Sequence, residues 1–378
     1  MKNTRHIIAD VMKSTMSAVA NDSPSVILQR DAELLCAAGL GPLASAAIAR
    51  QQMLADDDAN ALLKGAALTS ALIYKQTRDA VCNVITELNR VDVAPALLKG
   101  ISVADRYYQP PSARIMGDVD LLIPADHANA AQGALRDMGY RALEAQEPGE
   151  SHHHLPAMRH PGTGVIIEIH TALYSTNSGP AAFSPIDVGE WNEHLVRDKF
   201  SDHAHDVFHL GTEYQLAYTL MHWAAEHKWA DGVFGILDFL LIAAKNESFD
   251  WQLFGDWMSR NDAFGACAVI MFTYLEQTGL LPIPENVVEP VALSKHRFGA
   301  ANLRFACFLV DSFPMSTRKS AYLVIDSRAA RAAWRSMFKH CHSRSTTRLA
   351  IMEIARDRFE RITLNPLRLA RRLKSNFN

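Results

Sequence analysis

The stretch RIMGDVDLLIP, Arg114 to Pro124, decides how this chain is read. It sets two aspartates, Asp118 and Asp120, one residue apart where an apolar run begins. Side chains of a strand alternate between its faces. A strand over VDLLI therefore puts Asp118 and Asp120 on one face and Val119 and Leu121 on the other. Two like charges held side by side repel, and an opposite charge must offset them. A bound cation is the obvious candidate.

A third carboxylate lies in VIIEIHTAL (165–173), a β-branched run that reads as a strand. Glu168 sits between Ile167 and Ile169, a costly place unless the carboxylate is paired or on a wet face. The period of two places Ile166, Glu168 and His170 together. If this strand lies beside DVDLLI, then Asp118, Asp120 and Glu168 converge. Three carboxylates with open positions suit hard divalent cations such as Mg²⁺. Two such ions about 4 Å apart activate an attacking oxygen and stabilise a leaving phosphate. The three acids are thus the candidate catalytic and metal-ligating residues, with two Mg²⁺ expected and Mn²⁺ the alternative. Taken singly, each would read as an exposed or salt-bridged acid.

Upstream, VAPALLKG (93–100) reads as a short buried strand ended by Lys-Gly, followed by a helical turn in VADRYY. Free N–H groups at a helix N-terminus bind anions, and glycine lets the backbone come close. Gly100, with the charge of Lys99 and the hydroxyl of Ser102, is a candidate phosphate site. Arg114 follows the Pro-rich loop QPPSA and either steadies a phosphate or braces that loop. Beyond the Asp pair, ADHANAAQGALRDMGY reads as a helix stopped at Gly139, and RALE as the start of a third strand.

Around this α/β unit the pattern is helical. SPSVILQRDAELLCAAGL offers a Ser cap, helical apolar spacing and a Gly stop, and a long amphipathic helix runs from NALLKG to ITELNR. After Asp206 the chain is expected to be helical again. From Arg331 to Asn378 there are twelve Lys or Arg against three Asp or Glu, with helical spacing in LAIMEIARDRFERI. That segment is a solvated face or a surface for an acidic partner. The expected fold is α+β, a small mixed-sheet core at 93–200. An N-terminal helical region (1–92), a C-terminal helical domain (201–330) and the basic segment (331–378) flank it.

Composition excludes little. The 378 residues are 48% apolar and 21% charged with a net charge of −3, ordinary for a globular protein. No apolar run reaches the length of about 18 residues that a spanning helix needs. Asp10 and Lys13 interrupt any signal-peptide core at the N-terminus. Five scattered cysteines (Cys36, Cys82, Cys267, Cys307, Cys341) make no metal-type pair and read as reduced thiols, which favours a cytoplasmic location.

With these residues in place, LLKG…RIMGDVDLLI…GYRAL…VIIEIHTAL resembles the uncharacterised nucleotidyltransferase family of the polymerase-β-like superfamily. The resemblance gives Gly100 the glycine place after the first strand, Asp118 and Asp120 the paired aspartates, and Glu168 the third acid. Lys99 and Arg114 match the family form, while Ile101 stands where the wider superfamily often has Ser or Gly. His222, Trp229 and Asp238 match a helical His, Trp and Asp pattern. The resemblance implies an Mg²⁺-dependent enzyme that binds an NTP, with ATP the favoured donor. Lys99, Gly100, Ser102 and Arg114 would hold the nucleotide. The acceptor would be a hydroxyl on a small molecule, peptide or saccharide. Phosphoryl transfer to a peptide is the alternative reaction, and a non-catalytic nucleotide-binding or nucleic-acid-binding protein the alternative class.

The remaining histidines carry less. His170 shares the face of Glu168 and so is a possible substrate contact, as is His154 of the HHH run at 152–154. Neighbouring histidines on a strand point to opposite faces, so at most two of that run could share one ligand set. His222 and His227 make no H-E-x-x-H pattern, which excludes zinc-protease chemistry. Asp238, inside GILDFLL, reads as a buried hydrogen-bonding anchor, and it and His222 are expected to serve the helical region rather than the chemistry.

Overall fold

The structure is a computed structural model that describes residues 2–16, 24–143, 153–174, 193–200, 206–226, 233–246, 248–300, 303 and 307. The expectations at His152, His227, Trp229 and across 331–378 lie outside the described residues. Four helices come first: α1 (Lys2–Met16), α2 (Gln29–Ala37), α3 (Gly41–Ala49) and the 34-residue α4 (Asp57–Arg90). Asp56 caps α4 by accepting the Ala59 N–H at 2.8 Å. The Ser cap expected before the first apolar helix is not used. Val26–Ile27 is instead strand β1, paired in parallel with β2 (Leu54–Ala55), and α2 begins only at Gln29. The β-branched pair after Pro24 favours extended backbone there.

The sheet follows. It takes β3 (Ala96–Leu98), β4 (Val119–Leu122), β5 (Arg141–Ala142), β6 (Met158–Arg159), β7 (Ile166–His170), β8 (Leu195–Lys199) and β9 (Asp206–Leu210). Their order is β5-β6-β7-β4-β3-β9-β8. β4 lies at the centre, parallel to β7 and antiparallel to β3. Helix α5 (Lys99–Tyr107) starts directly from β3, and α6 (Ala128–Asp137) follows β4. The last strand corrects the expectation of helix after Asp206. β9 pairs in parallel with β3, so the sheet runs past residue 200 to Leu210. Its five residues, with a histidine among them, are too short a run to declare a period.

Helix α7 (Thr212–Met221) leads into a π-helical turn (His222–Glu226), and α8 (Val233–Ala244), α9 (Trp251–Arg260), α10 (Asp262–Thr278) and α11 (Val288–Phe298) complete the described chain. Gly235 of α8 lets Trp223 of the π turn pack on the backbone; a Cβ there would lie 2.2 Å from the indole.

Strand alternation divides the core in two. Leu97, Val119, Leu121, Ile167 and Ile169 face the second half of α4 and α6. Ala96, Leu98, Leu122 and Leu210 face the other way, into one cluster with the N-terminal helices and with α7 to α10. The two helical regions thus share a single core on one side of the sheet, and α4 contributes to both cores. By parity Asp120, Glu168 and His170 belong to the side of the mixed helical cluster. A one-residue slip would send them into the apolar face, so burial fixes the register.

Candidate active site

Register brings the central side chains together. β4 and β7 run parallel with Asp120 opposite Glu168 and Leu122 opposite His170. The imidazole Nε2 of His170 lies 2.8 Å from Asp120 Oδ1 and 3.7 Å from Glu168 Oε2. One ligand atom from each of Asp120, Glu168 and His170 falls within 4.8 Å of the others. Asp120 and His170 are 4% and 1% exposed, while Glu168 is half-buried. Asp118 departs from expectation: β4 begins at Val119, so Asp118 stands just before the strand and is exposed. It is nonetheless close enough to feel the charges of Asp120 and Glu168.

The carboxylates divide by environment. Asp118 has open surface but protein-dense surroundings; burial, then Asp120 and Glu168, push its carboxyl up to about 6. For Asp120, burial works in the same direction but loses. The Lys99 ammonium, the hydrogen bond from His170 and the charges of His170 and His222 hold it well below the usual range. Glu168 is lowered, first by the His170 imidazole 3.7 Å away, against burial and Asp120. His170 is raised, because its hydrogen bond to Asp120 and the nearby Glu168 carboxylate outweigh burial. Repulsion within the acid cluster is thus partly offset by Lys99, 3.3 Å from Asp120, and by His170. The remainder shows in the raised Asp118 carboxyl, which takes up a proton only below about 6. A donor set of two carboxylate oxygens and one imidazole nitrogen, with a third carboxylate at the mouth, fits a divalent cation.

Lys99 and Gly100 form the first turn of α5, and the preceding Leu98 makes no side-chain cap. Lys99 has φ +42°, a left-handed conformation that costs a lysine about 1–2 kcal/mol. Such strain persists where surrounding structure over-determines it and is common at functional sites. A Cβ on Gly100 would meet Met116 Cγ at 3.1 Å and Arg114 Nη1 at 3.2 Å. Arg114 itself braces: its Nε and Nη2 donate to Asp238 at 2.7–3.1 Å, Tyr108 adds a hydrogen bond at 2.7 Å, and Phe234 lies under the guanidinium. Asp238 is the buried anchor expected of it, and the group it anchors sits beside Gly100. Ser102, expected at the phosphates, is instead fully buried with its hydroxyl 2.8 Å from His209 Nδ1. Burial, then the Arg106 charge, push His209 down to about 4, so that pair is neutral and ties α5 to β9.

The histidines gather more closely than alternation allows. His153 and His154 have ring centroids 5.4 and 5.6 Å from that of His170. The reason is that His154 makes only an isolated bridge to His170, outside any regular strand. His222 is also drawn in. Its charge is among those that lower the Asp120 carboxyl, although it is expected to serve the helical region rather than the chemistry. Its place on a π-helical turn, a feature frequent at functional sites, adds to the family match at this histidine, and that turn is invisible in the sequence.

A family model described as uncharacterised nucleotidyltransferase matches residues 29–267, from the start of α2 into α10 and across every strand of the large sheet. No curated protein and no solved structure matches the chain.

Proposed function

The chain belongs to the uncharacterised nucleotidyltransferase family, and on that premise we propose a divalent-cation-dependent transfer of a nucleotidyl group from an NTP, ATP first, to a hydroxyl acceptor. The observation that carries the reading is the register of Asp120 against Glu168 on parallel strands, with the first turn of α5 beside them. Asp120, Glu168 and His170 would hold a cation, with Asp118 at the mouth. Bound there, a divalent cation neutralises phosphate charge and activates the acceptor oxygen.

The chain's own groups do the rest. The uncapped first turn of α5 offers backbone N–H groups to the phosphates, and Gly100, lacking a side chain, lets Met116 and Arg114 close against that turn. Lys99 now pairs with Asp120 and lies where it can turn to a phosphate oxygen. Arg114, fixed by Asp238, shapes the wall beside Gly100 and adds positive charge. Glu168, lowered and partly open, is the ionised carboxylate placed to receive the acceptor proton. The helices on that side of the sheet, with His222 at the end of α7, would receive the acceptor, a small molecule, peptide or saccharide.

Incubation with α-³²P- and γ-³²P-labelled NTPs, a divalent cation and cell extract tests this. Transfer of the α-label to an extract component, lost in Asp120→Asn, is the expected result. Transfer of the γ-label alone would replace nucleotidyl by phosphoryl transfer, and transfer of neither would overturn the reading.

A further inference from the structure

The three donors that meet at the centre of the sheet are not alike: two are oxygens and one is the Nε2 nitrogen of His170. An all-carboxylate set suits Mg²⁺, which prefers oxygen. An imidazole nitrogen moves preference toward first-row transition ions.

The nitrogen is built in. His170 is 1% exposed, and the β4–β7 register turns it to the same face as Asp120 and Glu168. Its Nδ1 is buried and has no hydrogen-bond partner among the described residues. What distinguishes His170 is Nε2, 2.8 Å from Asp120 Oδ1 and 3.7 Å from Glu168 Oε2. Neighbouring ligands of an octahedral ion at about 2.1 Å lie about 3 Å apart, and the two distances bracket that value.

We propose that His170 Nε2 is a metal ligand alongside Asp120 and Glu168, so that the site takes a first-row transition ion, with Mn²⁺ as its probe, in preference to Mg²⁺. On binding, the imidazolium of His170 gives up its Nε2 proton to solvent and keeps the one on Nδ1, and the ion takes the place of that proton between Nε2 and Asp120 Oδ1. The proposal deepens the nucleotidyltransferase reading and rests on the same site.

The test uses the full chain without nucleotide, with MnCl₂ and MgCl₂ as probes. Calorimetric competition is expected to show Mn²⁺ binding at least tenfold more tightly than Mg²⁺. Pulsed electron paramagnetic resonance of bound Mn²⁺ is expected to show nitrogen coupling that changes on ¹⁵N-histidine labelling. It disappears in His170→Asn and remains in His154→Ala. Equal affinities, wild-type Mn²⁺ without nitrogen coupling, or coupling that survives in folded His170→Asn would each overturn the proposal. If His170→Asn does not fold, absence of nitrogen coupling in the wild type overturns the proposal, and coupling that persists in His153→Ala, His154→Ala and His222→Ala supports it. Labelled-NTP transfer separates the two readings. Transfer without nitrogen coupling removes His170 as ligand and leaves the function standing; coupling without transfer does the reverse.

Discussion

Asp118→Asn is expected to stabilise the protein while abolishing its activity. The carboxyl of Asp118 is pushed from an ordinary 3.8 up to about 6 by burial and by Asp120 and Glu168. A raised carboxyl binds more protons folded than unfolded between those two values, so stability falls as pH rises through that window. The loss is complete above about 6 and absent below about 3.8. Roughly two pH units correspond to about 3 kcal/mol. Asp118 is exposed, and solvent screening reduces that to about 1 kcal/mol. Asparagine keeps the shape and removes the charge, so the variant gains about that amount at pH 8 and nothing near pH 4. A divalent cation stabilises the wild type by binding the folded state, and the variant less. Urea denaturation at both pH values, with and without MnCl₂, measures all of this, and the transfer assay measures activity. A gain equal at pH 4 and pH 8, or none at pH 8, would refute the picture of three mutually repelling acids.

Glu168→Gln is expected to slow the chemical step by orders of magnitude while Mg·NTP affinity changes by about 1 kcal/mol or less, since the lost group acts mainly in the transition state; calorimetry and single-turnover kinetics together check the split. Lys99→Ala is expected to weaken NTP binding by roughly 1–3 kcal/mol. Gly100→Val is expected to block it by pressing on Met116 and Arg114, and unchanged calorimetric affinity in both variants would remove the phosphate role. Asp238→Ala leaves Arg114 and Tyr108 buried without their partner, and urea denaturation is expected to show a loss of about 3–5 kcal/mol. A loss below about 1 kcal/mol would mean the pair is not the anchor its geometry describes.

Local pattern carried the chemistry of this chain. The Asp-x-Asp before VDLLI, Glu168 in its β-branched run, and Lys-Gly at the end of a strand are one-dimensional signals, because a strand's period of two assigns faces without knowledge of neighbours. The α+β class, the long α4 and the stop at Gly139 came from the same source. Asp118 shows its limit: the alternation predicts a shared face, but β4 begins one residue later. What the sequence could not supply were pairings across the fold. Arg114 and Asp238 are 124 positions apart, Ser102 and His209 are 107 apart, and His170 and Asp120 are 50 apart. Each residue alone reads as a loop arginine, a helix serine or a strand histidine. The strands β8 and β9, which finish the sheet, were too short and too polar to show a period. Tertiary structure decided these points because the parallel pairing of β4 with β7 and the single core shared by both helical regions choose which distant side chains share one low-dielectric space. Only there do their charges become strong enough to set one another's protonation.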